Sequence, residues 1–204
     1  MANDRRRQRG LTIIELIVFI VVVSVGIAGI MSVFNLTVRH SADPLVRKQA
    51  IAIAEALMEE VALQPFTYCD PSDDHLTTAT SAAVGAGLGQ CATLAESIGP
   101  EAGETRYTDP RFNSVNDYAG FDTNVTIGVP DGLTGIHDLT GAQVTALAGY
   151  RAQVTVSNAG LAFNAVNGTA YADGEVLRID ITVSRGGDAV TLSSYRFRYA
   201  PNAS

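Results

Sequence analysis

Residues 16–38 carry no charged side chain, and Arg5, Arg6, Arg7 and Arg9 stand just ahead of them. A run of 23 such residues is long enough to cross a hydrocarbon core of about 30 Å as a helix rising about 1.5 Å per residue. Its many Val and Ile residues are not the best helix formers in water. In lipid, however, each backbone polar group must bond within the segment, and helix prevails. The basic head sets the orientation, with the N-terminus cytoplasmic and the rest across the membrane. A secretory signal would have a shorter apolar core and a small-residue cleavage site, whereas Val33-Phe34-Asn35-Leu36 is a poor one. A plain signal anchor explains the arginines and the apolar run. It leaves Glu15 unexplained, a carboxylate near the start of the apolar region where charge is costly and marks function.

The order basic head, Gly10-Leu11-Thr12-Ile13-Ile14-Glu15, spanning run resembles the prepilin signal of type IV pilins and type II secretion pseudopilins. The resemblance implies cleavage by prepilin peptidase between Gly10 and Leu11, and N-methylation of Leu11 as the new first residue. Glu15 then corresponds to the family's glutamate used in subunit assembly. Leu11 departs mildly from the commoner Phe or Met. The implied fold is α+β and type IV pilin-like. A long N-terminal membrane-spanning helix packs its distal half on a C-terminal antiparallel β-sheet.

Five regions follow: a cytoplasmic leader at 1–10, the transmembrane half of the helix at 11–38, an amphipathic periplasmic half at 39–65, a loop region at 66–122 and a β-sheet region at 123–204. In the spanning run, Gly26 and Gly29 read either as a place for close helix approach or as ordinary membrane-helix glycines. Val46, Ala50, Ile53, Ala54, Leu57 and Val61 recur at helical spacing, with Arg47, Lys48, Glu55, Glu59 and Glu60 largely elsewhere. Pro44 predicts a bend or break, and Gln64-Pro65 ends the helix. The apolar stripe needs a sheet to cover it.

Residues 66–100 read as loop, with a turn-rich acidic cluster at Asp70-Pro71-Ser72-Asp73-Asp74. That cluster could hold calcium but lacks EF-hand spacing, so it reads as a solvated loop. Glu59-Glu60 and Asp73-Asp74 likewise read as solvated faces. Residues 77–89, rich in Thr, Ser, Ala and Gly, fit a short helix or disorder. Tyr118-Ala119-Gly120-Phe121 pins a loop onto the core. A short strand is expected at 124–129. Tyr150, Ala152, Val154 and Val156 alternate with polar residues, as do Leu177, Ile179, Ile181 and Val183. Arg185-Gly186-Gly187-Asp188 is a hairpin turn, and the return strand at 190–199 sets Tyr195, Phe197 and Tyr199 on one face. Residues 161–175 remain undecided.

The chain has 204 residues and a formal charge of -7. Removing 1–10 takes away four Arg and one Asp, leaving ten basic and twenty acidic residues, a net -10. That balance argues against nucleic acid as a main partner, although Arg178, Arg185, Arg196 and Arg198 could form a local basic patch. Cys69 and Cys91 lie beyond the membrane, where a disulfide is permitted; a bridge between them is expected, with two free thiols as the alternative. His40, His75 and His137 have no metal-ligand spacing. No nucleophile–base pair or phosphate-cradling loop stands out. The expectation is a non-enzymatic filament subunit, with no metal and no cofactor.

The Asn116-Asp117-Tyr118-x-Gly120 segment, the head of the chain and the closing Ser194-Tyr195-Arg196-Phe197-Arg198-Tyr199 resemble more narrowly the minor pilins of mannose-sensitive haemagglutinin (MSHA) type pili, the MshD-like proteins. That resemblance implies a part in pilus assembly or priming and in cell adhesion. The implied partners are prepilin peptidase, other major and minor pilins, the inner-membrane assembly platform and the lipid bilayer. The implied location is the bacterial inner membrane, as a single-pass protein that can enter the pilus. A minor pseudopilin of a type II secretion system, and an adhesive or DNA-binding minor pilin, are the alternative readings.

Overall fold

The computed structural model describes residues 12–124, 134–168 and 170–198, with the backbone alone for 36–43. Gly10, Leu11, Tyr199, the 1–10 leader and nearly all of the 124–129 strand expectation lie outside the described residues. The chain divides into two compact units, Met1–Leu45 and Val46–Ser204.

In the first unit the helix α1 begins; it runs over Ile13–Leu63 with Pro44 inside it and no break there. Thr12 precedes it, and its Oγ1 accepts the Glu15 N–H at 3.4 Å. This is the N-cap-to-N3 bond of a T-x-x-E sequence. Ile13–Asn35 is long and apolar enough to cross a membrane, with a mean hydropathy of 2.8 and none of it buried inside the described structure. Two of its polar side chains spend their bonds on the helix itself. Ser24 Oγ donates to the Ile20 carbonyl at 2.7 Å, and Asn35 Nδ2 to the Met31 carbonyl at 3.0 Å.

The second unit is built on the distal part of α1. Ala50, Ala54, Leu57 and Val61 are buried along one stripe, with Val46, Ile53 and Met58 flanking them. The helix stops at Leu63, just ahead of Pro65, which has no N–H to continue it. Against the stripe lies a three-stranded antiparallel sheet in the order β1-β2-β3, made of Arg151–Asn158, Val176–Arg185 and Asp188–Phe197. Val154 faces Ile181, and Ile181 faces Leu192. The period-2 alternation holds: Leu177, Ile179, Ile181 and Val183 are buried, and Arg178 between them is exposed. Gly186 takes φ 60° at the β2–β3 turn, as a two-residue hairpin connection requires.

Residues 120–123 add to the free edge of β1. Gly120 N–H donates to the Val154 carbonyl at 3.1 Å and Thr123 N–H to that of Ala152 at 3.0 Å. Tyr118 and Phe121 are buried and stack edge-on with Phe112, at centroid distances of 5.0 and 6.4 Å from it. The pinning role expected of 118–121 is thus realised.

The aromatic face of β3 points away from this core. Val190, Leu192, Ser194 and Arg196 are half-buried, while Tyr195 and Phe197 are exposed. Phe163, on the short helix α2 (Gly160–Asn167), packs on them at 5.3 and 5.1 Å. Part of the undecided 161–175 stretch is therefore helical. Residues 77–89 are turns and bends around isolated bridges, rather than a helix.

Candidate functional site

The N-terminal segment bears the functional signal. Its described part starts at Thr12, and Glu15 falls in the first turn of α1 as an exposed side chain among Ile13, Ile14, Leu16 and Ile17, all exposed. In water such a surface would be unstable, because more than a few hundred Å² of contiguous apolar area demands a partner. Further along, Val25, Gly26, Gly29, Ile30, Val33 and Phe34 line an apolar groove of about 430 Å³. A Cβ at Gly26 or Gly29 would meet nothing within 4 Å. Among the described residues, neither glycine answers to a packing need.

Residues 5–31 match the prokaryotic N-terminal methylation motif. That match decides the kind of N-terminus: it is type IV pilin-like, the substrate form of prepilin peptidase, and it sets the chain in a pilus-assembly context. Glu15 and the start of the spanning helix lie inside the matched residues. The match stops short of the second unit. No curated protein and no solved structure matches the chain significantly. Among the described residues one helix, Ile13–Asn35, is long and apolar enough to cross a membrane, and with this motif it gives the α+β fold a pilin-like N-terminal anchor.

The second unit places its polar groups differently from the solvated-face expectation. Glu60 is not a surface carboxylate. Arg106 grips it with both arms, Nε to Oε1 at 2.7 Å and a terminal nitrogen to Oε2 at 2.6 Å. The Tyr118 hydroxyl donates to the same carboxylate at 2.8 Å. The pair is 10% and 13% exposed at its side chains, and Arg106 also donates to the His137 carbonyl at 3.0 Å. This knot fastens the helix to the loop region. Beside it Ile53, Leu57, Phe121, Ile136, Leu139 and Leu147 line a mostly apolar cleft of about 500 Å³.

Asp73 is corrected in the same way. It is buried, and its two oxygens accept N–H bonds from His75, Ala92, Thr93 and Leu94 at 2.8–3.0 Å. The Leu94 N–H, with those of Thr93, Ala92 and His75, outweighs burial and holds the Asp73 carboxyl well below the usual carboxylate range. Asp73 is a clasp for the loop, with its acceptor capacity used. Asp74 next to it is exposed, as expected.

Cys69 and Cys91 form a disulfide across this loop, with Cα atoms 5.4 Å apart. Both are fully buried in a small cluster with Ala79, and Tyr68 and Ala95 pack alongside. Of the two states, the expected bridge is the one found.

The four arginines proposed as a basic patch do not form one. Arg178 pairs with Asp180 on the outer face of β2. Arg185 lies over the Tyr150 ring at 4.8 Å. Arg196 faces inward and donates to the Gln64 carbonyl at 3.3 Å. Arg198 stacks on Phe66 and Tyr68 and donates to the carbonyls of Thr67 and Gly174. Each of the four makes a contact within the fold instead.

Proposed function

We propose that this chain is a minor pilin of a type IV pilus, of the MSHA type, that takes part in pilus assembly or priming. The observation that carries the reading is the methylation motif at 5–31, overlapping an unburied apolar helix at Ile13–Asn35. On this reading residues 1–10 are a cytoplasmic leader, and prepilin peptidase cuts between Gly10 and Leu11. Leu11 is then N-methylated. Residues 11–38 span the inner membrane, residues 39–65 continue the helix on the periplasmic side, and the loop and sheet regions at 66–122 and 123–204 complete the periplasmic head. The sequence resemblance to MSHA minor pilins at 116–120 and 194–199 supports the narrower assignment.

Cleavage leaves a cationic amine on Leu11, one helical turn from Glu15. An unpaired carboxylate in hydrocarbon costs several kcal/mol or takes up a proton. The amine of a neighbouring subunit removes much of that cost and sets the register between helices. Gly26 and Gly29, where an added Cβ would meet nothing within 4 Å among the described residues, let those helices approach closely. The test replaces Glu15 with Val in cells assembling the pilus. Membrane insertion and leader cleavage persist, while recovery in sheared pili, or with co-isolated minor pilins, falls at least tenfold. Normal recovery of Glu15→Val would defeat the assembly role.

A further inference from the structure

Five carboxylates that are spread over 48 positions of sequence meet in the loop region. Carboxyl oxygens of Asp70, Glu96 and Glu101 lie within 4.8 Å of one another, and so do those of Glu101, Glu104 and Asp117. Glu101 belongs to both groups. Among the described residues, none of the five forms an ion pair with Lys, Arg or His.

The protein satisfies this cluster only in part. Glu96 takes the Ser114 hydroxyl on Oε1, and Asp117 takes the N–H groups of Asn113 and Ser114 on Oδ2 at 2.8 Å. Glu104 accepts from Asn113 Nδ2 and the Glu101 N–H. No protein group donates to Glu96 Oε2, Asp117 Oδ1 or either carboxylate oxygen of Glu101. The amide oxygens of Asn113 and Asn116 are buried without a donor as well. Glu96 is 8% exposed and Asp117 fully buried. Every one of these orphaned atoms is an oxygen acceptor. A buried acceptor left so costs free energy, and converging carboxylates repel.

Geometry selects among counter-ions. Calcium takes six to eight oxygens at about 2.3–2.6 Å in irregular loops, so its ligands stand up to about 5 Å apart. The spread within each group of three fits within that. Magnesium demands a tighter octahedron and keeps several waters, and the absence of Cys or His from the set disfavours zinc.

We propose that this cluster is a calcium site centred on Glu101, with Glu96 and Asp117 as its buried ligands. Asp70 and Glu104 flank it and add negative charge. Bound calcium ties the residues after α1 (Asp70) to the 96–104 loop and to the buried turn at Asn116–Tyr118. The inference holds whether the filament is a pilus or not.

The experiment uses the full chain in detergent micelles, stripped with EDTA and dialysed. Radioactive calcium uptake and thermal unfolding by circular dichroism are read with calcium, with magnesium and with neither. Calcium uptake is expected in the 0.01–1 mM range, with a Tm rise of about 5–10 °C at a hundredfold excess over Kd. Magnesium should give less than a third of that rise. Glu101→Gln keeps the shape but removes the central charge. Its calcium affinity should fall at least tenfold, while its calcium-free Tm should equal or exceed that of the calcium-free parent, because repulsion is relieved. Asp180→Asn, on the outer sheet face, should respond to calcium as the parent does. No uptake at 2 mM free calcium, an equal response to magnesium, or an unaltered calcium response in Glu101→Gln would each overturn the proposal. The first of these would mean that the carboxylates share protons instead.

Discussion

At the scale of single residues, the second unit is governed by carboxylates whose partners are far off in sequence. Glu60 and Arg106 are 46 positions apart, and their pair is largely buried. Removing one partner strands the other, at a cost of about 3–5 kcal/mol. Arg106→Ala should therefore lower stability by about that amount, measured by urea unfolding. Arg106→Met combined with Glu60→Leu should recover a good part of the loss, since no charge is left buried. Asp73 gives the pH dependence. Its folded pKa is depressed by backbone N–H donors, with the Leu94 N–H foremost. Its contribution is thus present in full above the unfolded value of about 4 and lost as pH falls below it. The stability gap between the parent and Asp73→Asn should be constant near neutrality and should shrink in acid. A gap that widens in acid would contradict the clasp. Neither role was legible in the sequence. Glu59-Glu60 and Asp73-Asp74 look alike as pairs, and only the chain path decides which member turns inward.

Elements were far more legible, because they have a period. The stripe Ala50, Ala54, Leu57 and Val61 repeats at 3.6 and is the buried face of α1. The alternations in β1 and β2 repeat at two, and Gly186-Gly187 marks the turn between β2 and β3. Sequence alternation could not say which face of β3 looks inward. Val190 and Leu192 won the core, while Tyr195 and Phe197 went outward to meet Phe163. The region around residues 66–122 has no period at all. It is held by long-range bonds, Asp73 to residues 92–94 and Cys69 to Cys91. For the disulfide, 22 positions separate the cysteines, and loop-closure entropy implies about 2–4 kcal/mol of stabilisation. Reduction should lower the unfolding midpoint accordingly and expose two thiols to alkylation. Two alkylatable thiols in freshly isolated, unreduced protein would rule the bridge out.

At the scale of the whole molecule, the two units have different solvents. Val46–Ser204 has a core of its own, while Ile13–Asn35 has none. A fragment beginning at Asp43 should therefore be soluble and unfold cooperatively. One beginning at Phe66 lacks Ala50, Ala54, Leu57 and Val61 and should lose the core, and equal melting of the two would show that α1 is not part of it. The membrane unit was the most legible part of the chain, because the basic head, Gly10, Glu15 and the apolar run occur in an order that ordinary anchors do not need. The central claim is that this order makes the chain a processed pilin-like subunit. Intact-mass and N-terminal peptide measurement of protein from membranes, with and without active prepilin peptidase, tests it most directly. With the enzyme, the protein should begin at Leu11, lack residues 1–10 and carry one added methyl group on its amine; without it, residues 1–10 should remain. A mature protein that keeps residues 1–10 in the presence of the active enzyme would contradict the account.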